Sequence, residues 1–284
     1  MRIPDILKSK RPVFSFEFYP PKTEEDARRL FNSIKELAPL RPDFVSITHS
    51  STGTAPYRTV ALSGLIKKQL GMEILSHLTC IAHTREEISG MAEKISGLGI
   101  ENILALRGDP FNSGGLKIKR DYAYAYELIN DLKKLGNFAI GAAGYPEKHP
   151  ESGTGADDIK YLKMKMDAGA DFIITQLFFD NRFYFEFAEK CAKAGINTPI
   201  IPGIMPVTSY RQIRNFTGMF NISIPKAVAG GLFRFENDRP NLLKFSIDHA
   251  AKQCVELIEN GAPGVHFYTL NHSKATKEIL ALII

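Results

Sequence analysis

Cysteine is scarce: Cys80, Cys191 and Cys254 are the only three in 284 residues, odd in number and far apart. Such spacing argues against a disulfide framework and a thiolate zinc site, and it fits a reducing cytoplasm. No uninterrupted apolar stretch is long enough to cross a bilayer, and the N-terminal MRIPDILKSKRPVF is charged, without an apolar segment of signal-peptide length. The chain is therefore expected to be soluble and cytoplasmic, with no membrane partner. Dense Lys/Arg runs interleaved with aromatics are missing, which argues against nucleic acid. The metal-binding spacings HxH, HExxH and DxD are absent from strand ends, so no metal is expected. None of the candidate strands ends in a lysine suited to a Schiff base, and RGDPFNSGG lacks the GK[ST] ending of a P-loop. Linkers, charge blocks and low-complexity stretches are lacking too, which leaves a single domain over residues 1–284 as the expectation.

What is present is a hydrophobic content of 44% and a net charge of +5, enough for a large core and suited to anionic small molecules. Eight short β-branched or aromatic runs predict strands at 13–18, 44–48, 74–81, 102–108, 138–143, 172–178, 199–205 and 264–270. Amphipathic stretches such as TEEDARRLFNSIKEL and TREEISGMAEKISGLG lie between them, with helix-capping residues at their starts. GLGIENILAL, DAGADFIITQ and ENGAPGVHFYTL repeat one order, helix end, glycine, loop, strand. Strands apolar on both faces that alternate with helices imply a covered parallel sheet. Eight units in about this length predict an α/β (β/α)8 TIM barrel, and no early GxGxxG supports a doubly wound sheet instead. The long segment between the seventh and eighth strands predicts extra helices before the last strand.

FSFEFYPP, residues 14–21, sets Glu17 among Phe14, Phe16, Phe18 and Tyr19. A strand disfavours glutamate and an unpaired buried carboxylate is costly, so Glu17 is either a paired structural ion or a tuned acid. Polar residues gather at the expected C-terminal strand ends: Glu17, Ser46, Thr48, His77, Thr79, Arg107, Asp109, Tyr145, His149, Gln176, Tyr268 and Asn271. Each has a plain structural explanation, Glu17 as partner of Arg107, His77 as a satisfied core histidine, Asp109 and Gln176 as caps. Their convergence on one barrel mouth favours a site.

FSFEFYPPKT, HLTC, LALRGD, YPEKHPE, DAGADFIITQLFFD, PGIMPV and HFYTLN occur in this order, and with them the chain resembles the short, bacterial type of the methylenetetrahydrofolate reductase family over nearly its whole length. The resemblance implies an FAD-dependent barrel, without the C-terminal regulatory domain of eukaryotic relatives, in which NADH or NADPH and 5,10-methylenetetrahydrofolate use one flavin face in turn. It also implies a homo-oligomer. Position by position, Glu17 resembles the family's general acid, Asp109 the carboxylate beside the flavin that also meets the pterin, and Gln176 the pterin-binding glutamine. Thr48, His77, Arg107 and Gly108 fall where the family holds FAD, as do Tyr145, His149, Asp158 and Lys165. Phe216 matches an aromatic over the shared nicotinamide and folate site, and Tyr268 a tyrosine ending the last strand. His49-Ser50 stand where the family often has Tyr-Gly, and Tyr161 and Met164 where some relatives have Asn and Arg. The aromatic neighbours of Glu17 and the charge of Asp109 are expected to favour its protonated form. The rival readings are a flavin barrel of the proline dehydrogenase type and a colourless folate- or pterin-binding methyl-transfer barrel.

Overall fold

The computed structural model of the chain describes residues 1–49, 57–108, 121–207, 209, 213, 217–218 and 222–284. The strands are β1 (Val13–Phe18), β2 (Phe44–Ile47), β3 (Ile74–Thr79), β4 (Asn102–Leu106), β5 (Ala139–Gly144), β6 (Phe172–Thr175), β7 (Ile200–Ile201), β8 (Gly203–Ile204) and β9 (Gly264–Tyr268). They pair in parallel in the order β7-β6-β5-β4-β3-β2-β1-β9-β8. β7 and β8 are halves of the one strand expected over 199–205, divided at Pro202, which has no N–H to give to a ladder. One half pairs with β6 and the other with β9, so the sheet closes on itself. The carbonyl of Pro202 still accepts from His266 N at 2.9 Å. The fold is the predicted (β/α)8 barrel.

Among the described residues the helices are α1 (Ile3–Ser9), α2 (Glu24–Leu37), α3 (Tyr57–Leu70), α4 (Arg85–Gly97), α5 (Ala125–Leu135), α6 (Gly155–Asp167), α7 (Asn181–Lys193), α8 (Lys226–Arg234), α9 (Arg239–Glu259) and α10 (Lys274–Ile283). Their starts follow the capping residues: the side chains of Thr23, Thr84 and Thr154 accept from the amides of Asp26, Glu87 and Asp157. Glu87 and Asp157 reciprocate as capping boxes. α8 and α9 are helices expected before the last strand. None of the described helices is long and apolar enough to cross a membrane.

Side-chain alternation splits β1 into two faces. Phe14, Phe16 and Phe18 turn outward into one buried cluster with Leu30, Ile34 and Leu37 of α2. Val13, Ser15 and Glu17 line the interior. At the N-terminal ends of the strands the interior is sealed by α1, whose Ile3, Ile6 and Leu7 pack with Val13, Phe44, Leu75, Leu104 and Phe172. Asn102 fastens this plug, accepting from Ile3 N at 2.8 Å and donating to the Met1 carbonyl at 3.0 Å.

Candidate active site

Strand register builds the opposite end. Glu17 stands opposite Ser46 on β2 and Tyr268 on β9, while Ser15 stands opposite His266. These shared parities bring Glu17 Oε2 to 3.6 Å from His77 Nε2 and 3.8 Å from His266 Nε2. The neighbours of the carboxylate are therefore imidazoles, and the expected phenylalanine surroundings are corrected: adjacent residues on a strand leave by opposite faces.

His77 is buried, and burial lowers its pKa to about 4, with the charge of Glu17 opposing the shift and His266 adding to it. It is neutral at neutral pH, and its Nε2 has no hydrogen-bond partner. His266, fully buried, is held by Ser15 Oγ at 2.7 Å from Nδ1 and Ser46 Oγ at 3.4 Å from Nε2, with its ring stacked on Phe44. Tyr268 packs edge-on against His266 and donates to the Thr175 carbonyl at 2.6 Å. Burial first, then the charges of Glu17 and Tyr145, raises its pKa well above the ordinary phenol value. The crossing requires glycine at 203, where a Cβ would lie 2.4 Å from the Thr175 carbonyl oxygen and 2.5 Å from the Tyr268 ring. Gln176 follows β6, and its Oε1 accepts from Leu177 N at 2.9 Å.

To one side lies a charged group. Arg107 grips Glu151 through two bonds of 2.6 and 2.7 Å, so the expected alternative of an Arg107–Glu17 pair does not form. Gly108 follows in a left-handed conformation at φ 90°, which glycine adopts freely. The Lys165 ammonium donates to the Ala143 carbonyl at 2.9 Å, and its burial lowers the pKa to about 8, opposed by Asp158 and assisted by Arg107. Asp158 accepts from Ser152 Oγ at 2.9 Å. Tyr145 and His149 meet edge to face, and His149 Nδ1 accepts from Glu151 N, which places its proton on Nε2. Burial and then Arg107 lower the His149 pKa. A cavity of about 460 Å³ beside Arg107 is walled by Tyr122, Tyr124 and Glu127.

Thr48 continues the β1–β2 ladder, donating from N to the Phe18 carbonyl at 2.9 Å, and its own carbonyl accepts from Thr59 Oγ1. His49 Nδ1 accepts from Thr79 N at 3.1 Å, which lets an imidazole extend the β2–β3 junction. Asp109, Phe216 and Ser50 lie outside the described residues. His266, Ser15 and Glu151 were not singled out from sequence. Parity carried a signal for the first two, since Ser15 and Glu17 alternate on one strand as His266 and Tyr268 do on another.

The chain is a parallel barrel whose C-terminal mouth holds a carboxylate between two histidines, with Arg107 and Lys165 to one side. Residues 2–283 match the family described as methylenetetrahydrofolate reductase. A 5,10-methylenetetrahydrofolate reductase of Salmonella typhimurium is 39% identical over 266 residues, covering 93% of this chain and 88% of the relative. Methylenetetrahydrofolate reductase (NADH) 1 of Arabidopsis thaliana is 34% identical over 292 residues, covering 98% of this chain and 49% of that longer protein. Among solved structures, a Clostridium thermocellum protein that binds two copies of 5-methyl-5,6,7,8-tetrahydrofolic acid shares the fold at a TM-score of 0.70 and 17% identity, covering 98% of this chain and 96% of its own. The chain belongs to the methylenetetrahydrofolate reductase family.

Proposed function

We propose that this chain is a single-domain, FAD-dependent methylenetetrahydrofolate reductase of the cytoplasm. It takes electrons from NADH or NADPH and converts 5,10-methylenetetrahydrofolate and a proton to 5-methyltetrahydrofolate. The observation that carries the reading is Glu17, a carboxylate aimed into the barrel mouth between His77 and His266. The folate-binding structural neighbour supports the substrate class, and the names of the plant relatives favour NADH as donor.

The residues present fit FAD. Arg107 and the buried ammonium of Lys165 supply cationic groups for a diphosphate, and Gly108 lets a ligand approach the backbone. His77 adds an unpartnered ring nitrogen at the mouth. Bound FAD would supply what no side chain can, acceptance of a hydride from nicotinamide and its delivery to the folate carbon. In this reading Glu17 holds the proton needed by the folate nitrogen whose bond to the methylene carbon breaks, and gives it up as the ring opens. Gln176 orients the pterin, and the family resemblance assigns Asp109 to the flavin and pterin and Phe216 to the site that nicotinamide and folate share. Tyr268, tied to Thr175, forms the wall between Glu17 and β6.

Purified protein should carry the visible spectrum of bound FAD. Anaerobic NADH should bleach it, and methylenetetrahydrofolate should restore it. A chain that stays flavin-free after reconstitution, or a reduced flavin that folate does not reoxidise, would refute the reading.

A further inference from the structure

The chemistry proposed for Glu17 leaves His266 without a task, although its ring is held on several sides. It lies on β9 and is fully buried. Ser15 Oγ is 2.7 Å from its Nδ1, the ring stacks on Phe44 with 15° between the planes, and Tyr268 meets it edge-on. The β1–β9 register sets Ser15 opposite His266 and Glu17 opposite Tyr268, so His266 belongs to the layer just beneath the carboxylate. A buried imidazole is costly unless both nitrogens have polar neighbours. Nδ1 has Ser15, and Nε2 points toward Ser46 Oγ at 3.4 Å and Glu17 Oε2 at 3.8 Å.

The two oxygens of Glu17 are not equivalent. Both imidazoles come closest to Oε2, His77 Nε2 at 3.6 Å and His266 Nε2 at 3.8 Å, whereas no hydrogen bond from a described residue reaches Oε1. The hydroxyl of Ser15 selects the tautomer of His266. When Ser15 donates to Nδ1, the ring proton resides on Nε2 and an N–H faces Oε2. The other tautomer would aim a lone pair at a carboxylate oxygen. Because 3.8 Å is longer than a hydrogen bond, the ring acts on Oε2 through its dipole, in surroundings where dipoles are poorly screened. An N–H beside Oε2 leaves the proton of the acid to Oε1.

We infer that His266 is a positioning residue for Glu17: held by Ser15, it keeps Oε2 turned toward the barrel interior, so that the transferable proton sits on Oε1 at the mouth. The inference rests on the general-acid role proposed above. The transfer itself is unchanged. The O–H bond of Glu17 breaks, the folate nitrogen takes the proton, and the carboxylate left behind is the charge that the Nε2–H faces.

Glutamine and asparagine separate the two ends of the ring, since a Gln amide nitrogen reaches the place of Nε2 and an Asn amide nitrogen that of Nδ1. His266→Asn keeps a partner for Ser15 and removes the donor beside Oε2. Reoxidation of reduced flavin by saturating methylenetetrahydrofolate should slow by roughly tenfold, with FAD content and flavin reduction by NADH near wild type. His266→Gln should recover most of that loss. Ser15→Ala, which lets the ring take either tautomer, should slow the same half-reaction by a smaller factor, and it decides the matter by rate if His266→Asn does not fold. A second readout needs no turnover: in crystal structures of the variants, the Glu17 carboxylate should stay beside His77 in His266→Gln and turn away from it in His266→Asn. Equal reoxidation rates in the Asn and Gln variants, equal damage to both half-reactions, an unmoved carboxylate in His266→Asn, or wild-type reoxidation in Ser15→Ala would each overturn the inference. Reduced wild-type flavin that folate does not reoxidise would instead refute the functional reading, and the crystal comparison would still decide whether His266 places Glu17.

Discussion

The two ends of the barrel interior are built by the same strands from opposite materials. At the N-terminal end Val13, Phe44, Leu75 and Phe172 close around the plug helix in a layer with little polar content beyond Asn102. Two residues further along the same strands stand Ser15, Ser46 and His77, and then Glu17. The difference teaches where each kind of free energy resides. Apolar burial at the plug stabilises the fold, whereas the mouth spends some of that stability to keep a carboxylate and two imidazoles out of water. Substitutions at the two ends should therefore fail in different ways.

The largest effect belongs to Glu17→Gln, which keeps the shape and loses the transferable proton. Reoxidation of reduced flavin by methylenetetrahydrofolate should slow by roughly a hundred- to ten-thousand-fold, while reduction by NADH stays near wild type. Stopped-flow measurement of each half-reaction at equal FAD content tests this. Folate turnover at the wild-type rate would remove Glu17 from catalysis, and equal damage to both half-reactions would make it a structural residue.

Leu7→Ala at the plug should do the converse. It empties a fully buried position and should cost about 3 kcal/mol in urea unfolding, with turnover per FAD-loaded molecule unchanged. A rate defect without a stability defect would break the division between the two ends.

The third effect is conditional on pH and vanishes at neutral pH. The His77 pKa is lowered from 6.5 to about 4 in the folded chain, so between these values the unfolded chain binds a proton that the folded chain refuses. Its contribution to stability is intact above about pH 6.5, is lost progressively as the pH falls, and has gone by about pH 4, a span worth up to about 3 kcal/mol. In His77→Gln this part of the acid sensitivity should disappear, as the difference between the two stability profiles. The Leu7→Ala deficit, by contrast, should be the same at pH 5 and pH 8.

Element existence was legible in the sequence because period-two and helical patterns are local. The predicted strands fall on β1 to β9, with β7 and β8 inside a single predicted run. The exception is instructive: Pro202 does not end that strand but divides it between two neighbours, and pairing partners are not written in local pattern. The same limit governs the site. Glu17 was visible as a misplaced charge, but its flanking phenylalanines belong to the other face of the strand, and its real neighbours come from positions 60 and 249 residues away. His266 sat unnoticed in GVHFYTL because a single histidine in an apolar run reads as core, and only its register with Ser15 gives it a role. The plug was hidden by charge: in MRIPDILKSKRPVF the lysines and arginines mask an apolar face made by Ile3, Ile6 and Leu7.

The pairing of β1 with β9 joins residues 13–17 to residues 264–268, so the first strand made is also the last to find its second neighbour. On the ribosome, β1 emerges early and must wait for almost the whole chain before that edge is covered. Until the barrel closes, Ile3, Ile6 and Leu7 have no complete interior to enter, and both β1 and β7 present open backbone edges. A nascent or truncated chain that stops before Gly264 is for that reason a sticky object, and the cell's burden of keeping it apart from its copies is set by the distance between two strands that end up side by side.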